Sequence, residues 1–154
     1  MLVRFAIALA LGALLGLERE LVGKESAGVR TTMLVTSGAA LFTLAGLAIP
    51  YIVSAETNNL ADVVARNSGY LGMIANIVVG IGFLGSGIIF KEGAHPHGVT
   101  TAALVWTAAA IGILVGVGLI EFAVSATVLL AVLLYLLRKL NLSESLNVDS
   151  NTRK

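Results

Sequence analysis

GIGFLGSG, residues 80–87, puts four glycines into eight positions of an otherwise apolar stretch, and its reading decides the fold. Glycine at this density weakens a helix in water, so the run fits a transmembrane helix whose backbone other helices approach closely. It is not a dinucleotide fingerprint, because no strand precedes it and it lies inside a hydrophobic span from Tyr70 to Phe90. At about 100° per residue, Gly80 and Gly87 fall on one face and Gly82 and Gly85 on roughly the opposite one. The spacing therefore predicts a central helix packed on both sides. A local break in the helix is the alternative reading of the same run.

The rest of the chain has the same character. Its 154 residues are 57% hydrophobic and only 12% charged, which is the composition of an integral membrane protein. The net charge of +1 gives no reason to expect nucleic-acid binding, and the absence of cysteine removes disulfides, thiolate metal sites and cysteine nucleophiles. Apolar segments at residues 2–17, 31–53, 70–90, 100–119 and 122–137 predict an all-α bundle of five transmembrane helices in a domain covering residues 1–139. Residues 140–154 read as a polar, frayed cytoplasmic tail. Pro50 loosens the last turn of the second span, Thr100 or Thr101 is expected to cap the fourth, and the leucine- and valine-rich fifth is expected to face lipid. Ala8, Gly12 and Gly16, and again Ala108, Gly112 and Gly116, form small-residue seams at four-residue spacing.

Arginine and lysine set the orientation. With five spans, Arg4 and Arg66 lie on one side and the other eight basic residues on the other, so the amino terminus is expected outside and the carboxyl terminus in the cytoplasm. A cleaved signal peptide competes for residues 2–17, but the charged residues directly after the apolar core favour a retained span. A shift of seventy residues places 28–49 over 98–119 with nine of twenty-two positions identical. Gly12, Leu14 and Gly23 meet Gly82, Leu84 and Gly93 at the same offset, which predicts a parallel repeat of helices one and two in helices three and four.

Ionisable groups at the membrane boundary are costly unless paired or wet, which singles out Arg4, Glu18, Arg19, Glu20 and Arg30 as an ion path, a partner site or an interfacial salt-bridge cluster. Asn76, within an apolar span, calls for an interhelical hydrogen bond. His95 and His97 flank Pro96 but lack further ligands at metal-site spacing, and Glu18, Glu20 or Glu92 offers magnesium no more than an outer-sphere entry site. The metal question stays open at this point. Trp106 reads as a packed or interfacial aromatic, and no paired-carboxylate, HExxH or GxSxG arrangement points to an enzyme or a cofactor.

The segments LVRFAIALALGALLGLERE, AGVRTT, GIGFLGSGII and GVTTAALVWTAAAIGILVGVG, in this order, resemble the transmembrane domain of the MgtC/SapB family over about residues 2–138. The resemblance implies a five-helix plasma-membrane protein of bacteria or archaea, associated with magnesium homeostasis and in some members with virulence. It carries two functional readings: an ion transporter handling Mg2+, or a non-transporting regulator that binds another membrane complex such as the proton-driven ATP synthase. Glu18, Arg19, Gly28, Arg30, Thr31, Gly80, Gly82, Gly85, Gly87, Thr100, Thr101 and Trp106 stand at the family's motif positions. Gly72 and Asn76 depart from it, where an arginine and a glutamine are common, and the soluble carboxyl-terminal domain of many members has no counterpart here. The small-residue seams further lead us to expect a homo-oligomer in the lipid bilayer.

Overall fold

The computed structural model describes residues 1–20, 27–57, 69–92 and 95–139. Five helices occupy these residues: α1 (Leu2–Glu20), α2 (Val29–Thr57), α3 (Gly69–Ile88), α4 (Val99–Val117) and α5 (Ile120–Lys139). Between α3 and α4 the chain makes a small antiparallel hairpin, β1 (Phe90–Glu92) with β2 (His95–His97), in which Phe90 pairs with His97 and their rings stack at 5.5 Å. Three helices contain a segment long and apolar enough to cross a membrane: Val29–Ile49, Val99–Val117 and Ile120–Leu137. Leu2–Leu17 and Gly72–Ile88 are shorter apolar segments. The fold is that of an all-α, multi-pass membrane protein.

Contacts between the helices alternate their direction. The amino-terminal part of α1 meets the carboxyl-terminal end of α4, Gly16 near the end of α1 meets Val29 at the start of α2, and Gly85 near the end of α3 meets Ala102 near the start of α4. The core is shared by Ala8, Leu11 and Leu15 of α1, Ala40 of α2, Leu104, Ala108, Ile111 and Val115 of α4, and Ala123 of α5.

The central helix is α2, and the glycines of two neighbouring helices close on one face of it. A Cβ at Gly12 would lie 2.7 Å from the Thr32 carbonyl oxygen and 2.8 Å from Met33 Cα, and one at Gly16 would lie 2.5 Å from Val29 Cα. Real Cβ atoms do not come this close, so only glycine permits α1 to sit here. Farther along the same face a Cβ at Gly112 would overlap the Thr36 carbonyl oxygen, and one at Gly116 would lie 2.6 Å from Thr43 Cβ. The two seams expected at Gly12/Gly16 and Gly112/Gly116 thus both close on α2.

The expectation of a central glycine-run helix does not hold within one chain. A Cβ at Gly80, Gly82 or Gly87 would meet nothing within 4 Å, and one at Gly85 only the Ala102 side chain at 3.7 Å. The physical reason is orientation. The bulky residues Ile74, Ile77, Ile81 and Ile88 are half-buried against the bundle, which turns the small residues outward. The run is also continuous helix rather than a break.

Several boundaries differ from the expected ones. α2 continues through Pro50 to Thr57 instead of ending near Val53, although proline there supplies no donor to the Gly46 carbonyl. α3 stops at Ile88, so Phe90 belongs to the hairpin. Neither Thr100 nor Thr101 caps α4: the N-cap is Gly98, at φ 80°, and its carbonyl accepts from the Ala102 N–H. A side chain at Gly98 would collide with the Ile88 carbonyl, and this close return of the chain excludes a larger capping residue. α4 begins at Val99, seventy residues after Val29 begins α2, which places these two helix starts at the offset of the sequence repeat. α5 matches the expected lipid-facing helix, with Phe122, Leu129, Val132, Leu133 and Leu136 exposed. The tail at 140–154, Lys24 and Arg66 lie outside the described residues.

Candidate functional site at the ends of the first helix

α1 begins and ends with charge because its apolar part, Leu2–Leu17, is too short to separate two aqueous faces: sixteen residues make about 24 Å of helix against roughly 30 Å of hydrocarbon. The bundle deals with the two ends differently.

At the first end, Arg4 is half-buried and its Nη1 donates to the Gly116 carbonyl oxygen at 2.9 Å. Here α4 ends. Gly118, at φ 107°, turns the chain, with its N–H directed at the Leu114 and Val115 carbonyls and the Leu119 N–H at the Leu114 carbonyl. The last carbonyls of a helix carry partial negative charge, so a guanidinium placed against them satisfies both a hydrogen bond and the helix dipole. A Cβ at Gly118 would lie 2.9 Å from Arg4 Nη2, so the glycine serves both the left-handed turn and the space for the arginine.

At the other end, Glu20 Oε2 accepts from the Val29 N–H at 3.4 Å. This is the first turn of α2, whose free N–H groups carry partial positive charge. The contact is long and exposed, and correspondingly weaker. Arg4 and Glu20 are therefore two helix caps separated by the length of α1, about 24 Å along its axis. They do not form one cluster.

The remaining sequence candidates are dispersed. Arg30 is exposed at the start of α2 and Thr31 beside it is half-buried. Thr100 is exposed in the first turn of α4, while Thr101 is buried. Trp106, expected to be packed or interfacial, is 52% exposed and borders a groove with Ile74 and Val78 of α3. Glu18 and Arg19 lie in the last turn of α1, and their side chains are outside the described residues. Asn76 is exposed on α3 and lines a cleft of about 660 Å³ between α2 and α3, whose walls are Leu34, Gly38 and Phe42 on one side and Gly72, Asn76 and Gly80 on the other. Among the described residues, no three His, Asp or Glu side chains come together to hold a metal ion.

A row of buried hydroxyls on α2 escaped the sequence reading. Thr32, Thr36 and Thr43 lie on the α2 face gripped by the glycines, and all are buried. Thr32 Oγ1 donates to the Gly28 carbonyl at 3.2 Å and Thr43 Oγ1 to the Ala39 carbonyl at 2.8 Å, so each is satisfied within its own helix. Thr36 Oγ1 has no partner. The signal was available as spacing: 32, 36 and 43 follow one another at four and seven residues, one face of a helix.

The sequence profile of the MgtC family matches residues 5–142 of this chain. Protein MgtC of Brucella abortus (strain 2308) is 42% identical over 133 residues, covering 86% of this chain and 49% of the relative. Protein MgtC of Salmonella typhimurium (strain LT2) is 40% identical over 132 residues, covering 86% of this chain and 50% of the relative. The chain spans about half the length of the curated relatives it matches. No solved structure matches it. With the family profile covering all five helices and two such relatives aligned over most of its length, this chain belongs to the MgtC family.

Proposed function

We propose that the chain is a plasma-membrane protein linked to magnesium homeostasis and that it acts as a regulator binding another membrane complex. Family membership supports the magnesium link. The distribution of arginine and lysine supports an external amino terminus and a cytoplasmic carboxyl terminus. The observation that carries the regulator reading is the engagement of Arg4 and Glu20: the charges that would line an ion path through the first helix instead cap α4 and α2 at opposite ends of the bundle. Their chemistry is that of a scaffold fixing helix depth and angle.

A different observation favours transport. The α2–α3 cleft brings the Asn76 amide to an otherwise apolar wall at the depth of the helix interior, and a polar group there offers a hydrated cation a place to shed or exchange water. The two readings separate in proteoliposomes loaded with a magnesium-sensitive dye. A regulator gives no magnesium flux above empty vesicles, with the protein folded and correctly inserted and with ion and voltage gradients imposed. Flux above that background overturns the regulator reading, and its loss in N76L would route it through the cleft.

A further inference from the structure

Two helices of the bundle present a long face outward, and the two faces differ in what they are made of. On α5 the outward residues are large: Phe122, Leu129, Val132, Leu133 and Leu136, which suits contact with lipid tails. On α3 the isoleucines turn inward and the outward face mixes a polar amide and glycines with two large residues, Val79 and Phe83. Lipid gains little from a glycine surface and offers nothing to an amide, whereas another helix gains close backbone approach from the first and a hydrogen bond from the second.

The spacing on α3 narrows the occupant. Gly72, Asn76, Val79, Phe83 and Ser86 follow one another at intervals of four, three, four and three, the heptad seam of a two-helix coil, and all five are exposed. Small residues flank the seam, Ala75 and Gly82 on one side and Gly80 and Gly87 on the other, so the side chains of Val79 and Phe83 in the seam itself set how close a second helix comes. Asn76 occupies one core position. Its amide is donor and acceptor at once, and hence complementary to itself.

We propose that α3 pairs in parallel with α3 of a second copy of this chain, with the two Asn76 amides bonded to each other near a two-fold axis along the membrane normal. Identical chains inserted in the same orientation bring their Asn76 residues to the same depth without further design, and a two-fold axis matches each seam position to its own counterpart. A single asparagine in such a seam fixes register and favours two strands. The α2–α3 cleft opens onto the seam, sharing Gly72 and Asn76 with it and walled further by Gly80 on α3 and Phe42 on α2, and receives the flank of the partner. The inference rests on the chain spanning a membrane and is independent of whether magnesium crosses it.

The absence of native cysteine makes the test clean. Single cysteines are introduced into the full chain in native membranes and oxidised with copper phenanthroline. V79C and S86C should crosslink into a species of twice the mass, while I81C, half-buried on the inward side, and L129C, on the lipid-facing side of α5, should not. In liposomes, resonance energy transfer between labelled copies should report association about 3- to 20-fold weaker in N76V, the effect of one interhelical polar contact. Association should be lost in G80L. A Cβ at Gly80 meets nothing within 4 Å, so the bundle itself accommodates the start of this side chain, and unchanged thermal unfolding in detergent verifies that. Crosslinking at V79C no stronger than at L129C means that lipid covers the face and overturns the proposal. So does an adduct with a protein of another mass, or energy transfer unchanged in both N76V and G80L.

Discussion

The two helix pairs related by the seventy-residue offset share sequence and differ in closeness. In the first pair, α1 lies so near α2 that Gly12 and Gly16 leave no room for a methyl group against the α2 backbone. In the second, the counterpart of Gly12 is Gly82, which faces open space, and the counterpart of Gly16 is Ser86, which is exposed and donates to the Phe83 carbonyl of its own helix at 2.7 Å. The nearest approach of a glycine of α3 to α4 is Gly85 to Ala102, at an ordinary van der Waals separation. Glycine content does not distinguish the pairs. What distinguishes them is whether two glycines fall four residues apart on the side that faces the neighbour, because only then does a continuous groove form along the helix.

This comparison is broken most severely by filling the first groove. G16L should cost more than about 3 kcal/mol of stability, because the new side chain meets the Val29 backbone, which cannot yield without moving α2. The matched change G82L should leave the chain's own stability within about 0.5 kcal/mol, and thermal unfolding in detergent compares the two directly. Equal losses would mean that the second pair is as close as the first.

An intermediate effect is expected at the end of α1. R4Q removes a charge-assisted bond to the Gly116 carbonyl and the favourable charge at the end of α4, and should lower stability by about 1–2 kcal/mol. Hydrogen exchange should show the added opening concentrated in the last turn of α4, at Val115 to Leu119, with α3 unaffected. Exchange that rises evenly through the bundle would mean that Arg4 does not act through that helix end.

The smallest effect carries the opposite sign. Thr36 Oγ1 is buried and unpartnered between Gly12 and the α4 side of α2. T36V keeps the branched shape and removes the desolvated hydroxyl, so it should stabilise the bundle by up to about 1 kcal/mol. A loss of stability on this substitution would show that the hydroxyl is bonded within the membrane.

What was legible in the sequence follows from how local each signal is. The seams at Gly12/Gly16 and Gly112/Gly116 were legible because four-residue spacing is a property of one helix, and both helices use that side. The number of helices and the lipid-facing nature of α5 were legible for the same reason. Which helix is central was not. The glycines at 80, 82, 85 and 87 announce that α3 can be approached, but its isoleucines decide which side faces the chain, and that side carries only Gly85. The hairpin at 90–97 was missed because three-residue strands are too short to show alternation. The candidate site fared least well. Arg4 and Glu20 were recognised as costly charges, yet their roles as caps depend on partners that no local pattern links to them, and Glu20 acts as a cap only because α2 begins beside the end of α1.

The bond from Arg4 to Gly116 also has a place in time. One hundred and twelve residues separate donor and acceptor, so when the first helix leaves the ribosome and enters the bilayer its partner has not been made. At about 5–20 residues per second the wait is on the order of ten seconds. Until α4 is threaded, the arginine has to keep its charge at the lipid headgroups or beside the translocation machinery, and α1 is free to shift along its axis. The arrival of Gly116 ends that freedom. The first helix of the bundle is thus among the last to be fixed in depth, and a nascent chain halted before α4 would hold α1 in the membrane without its lock.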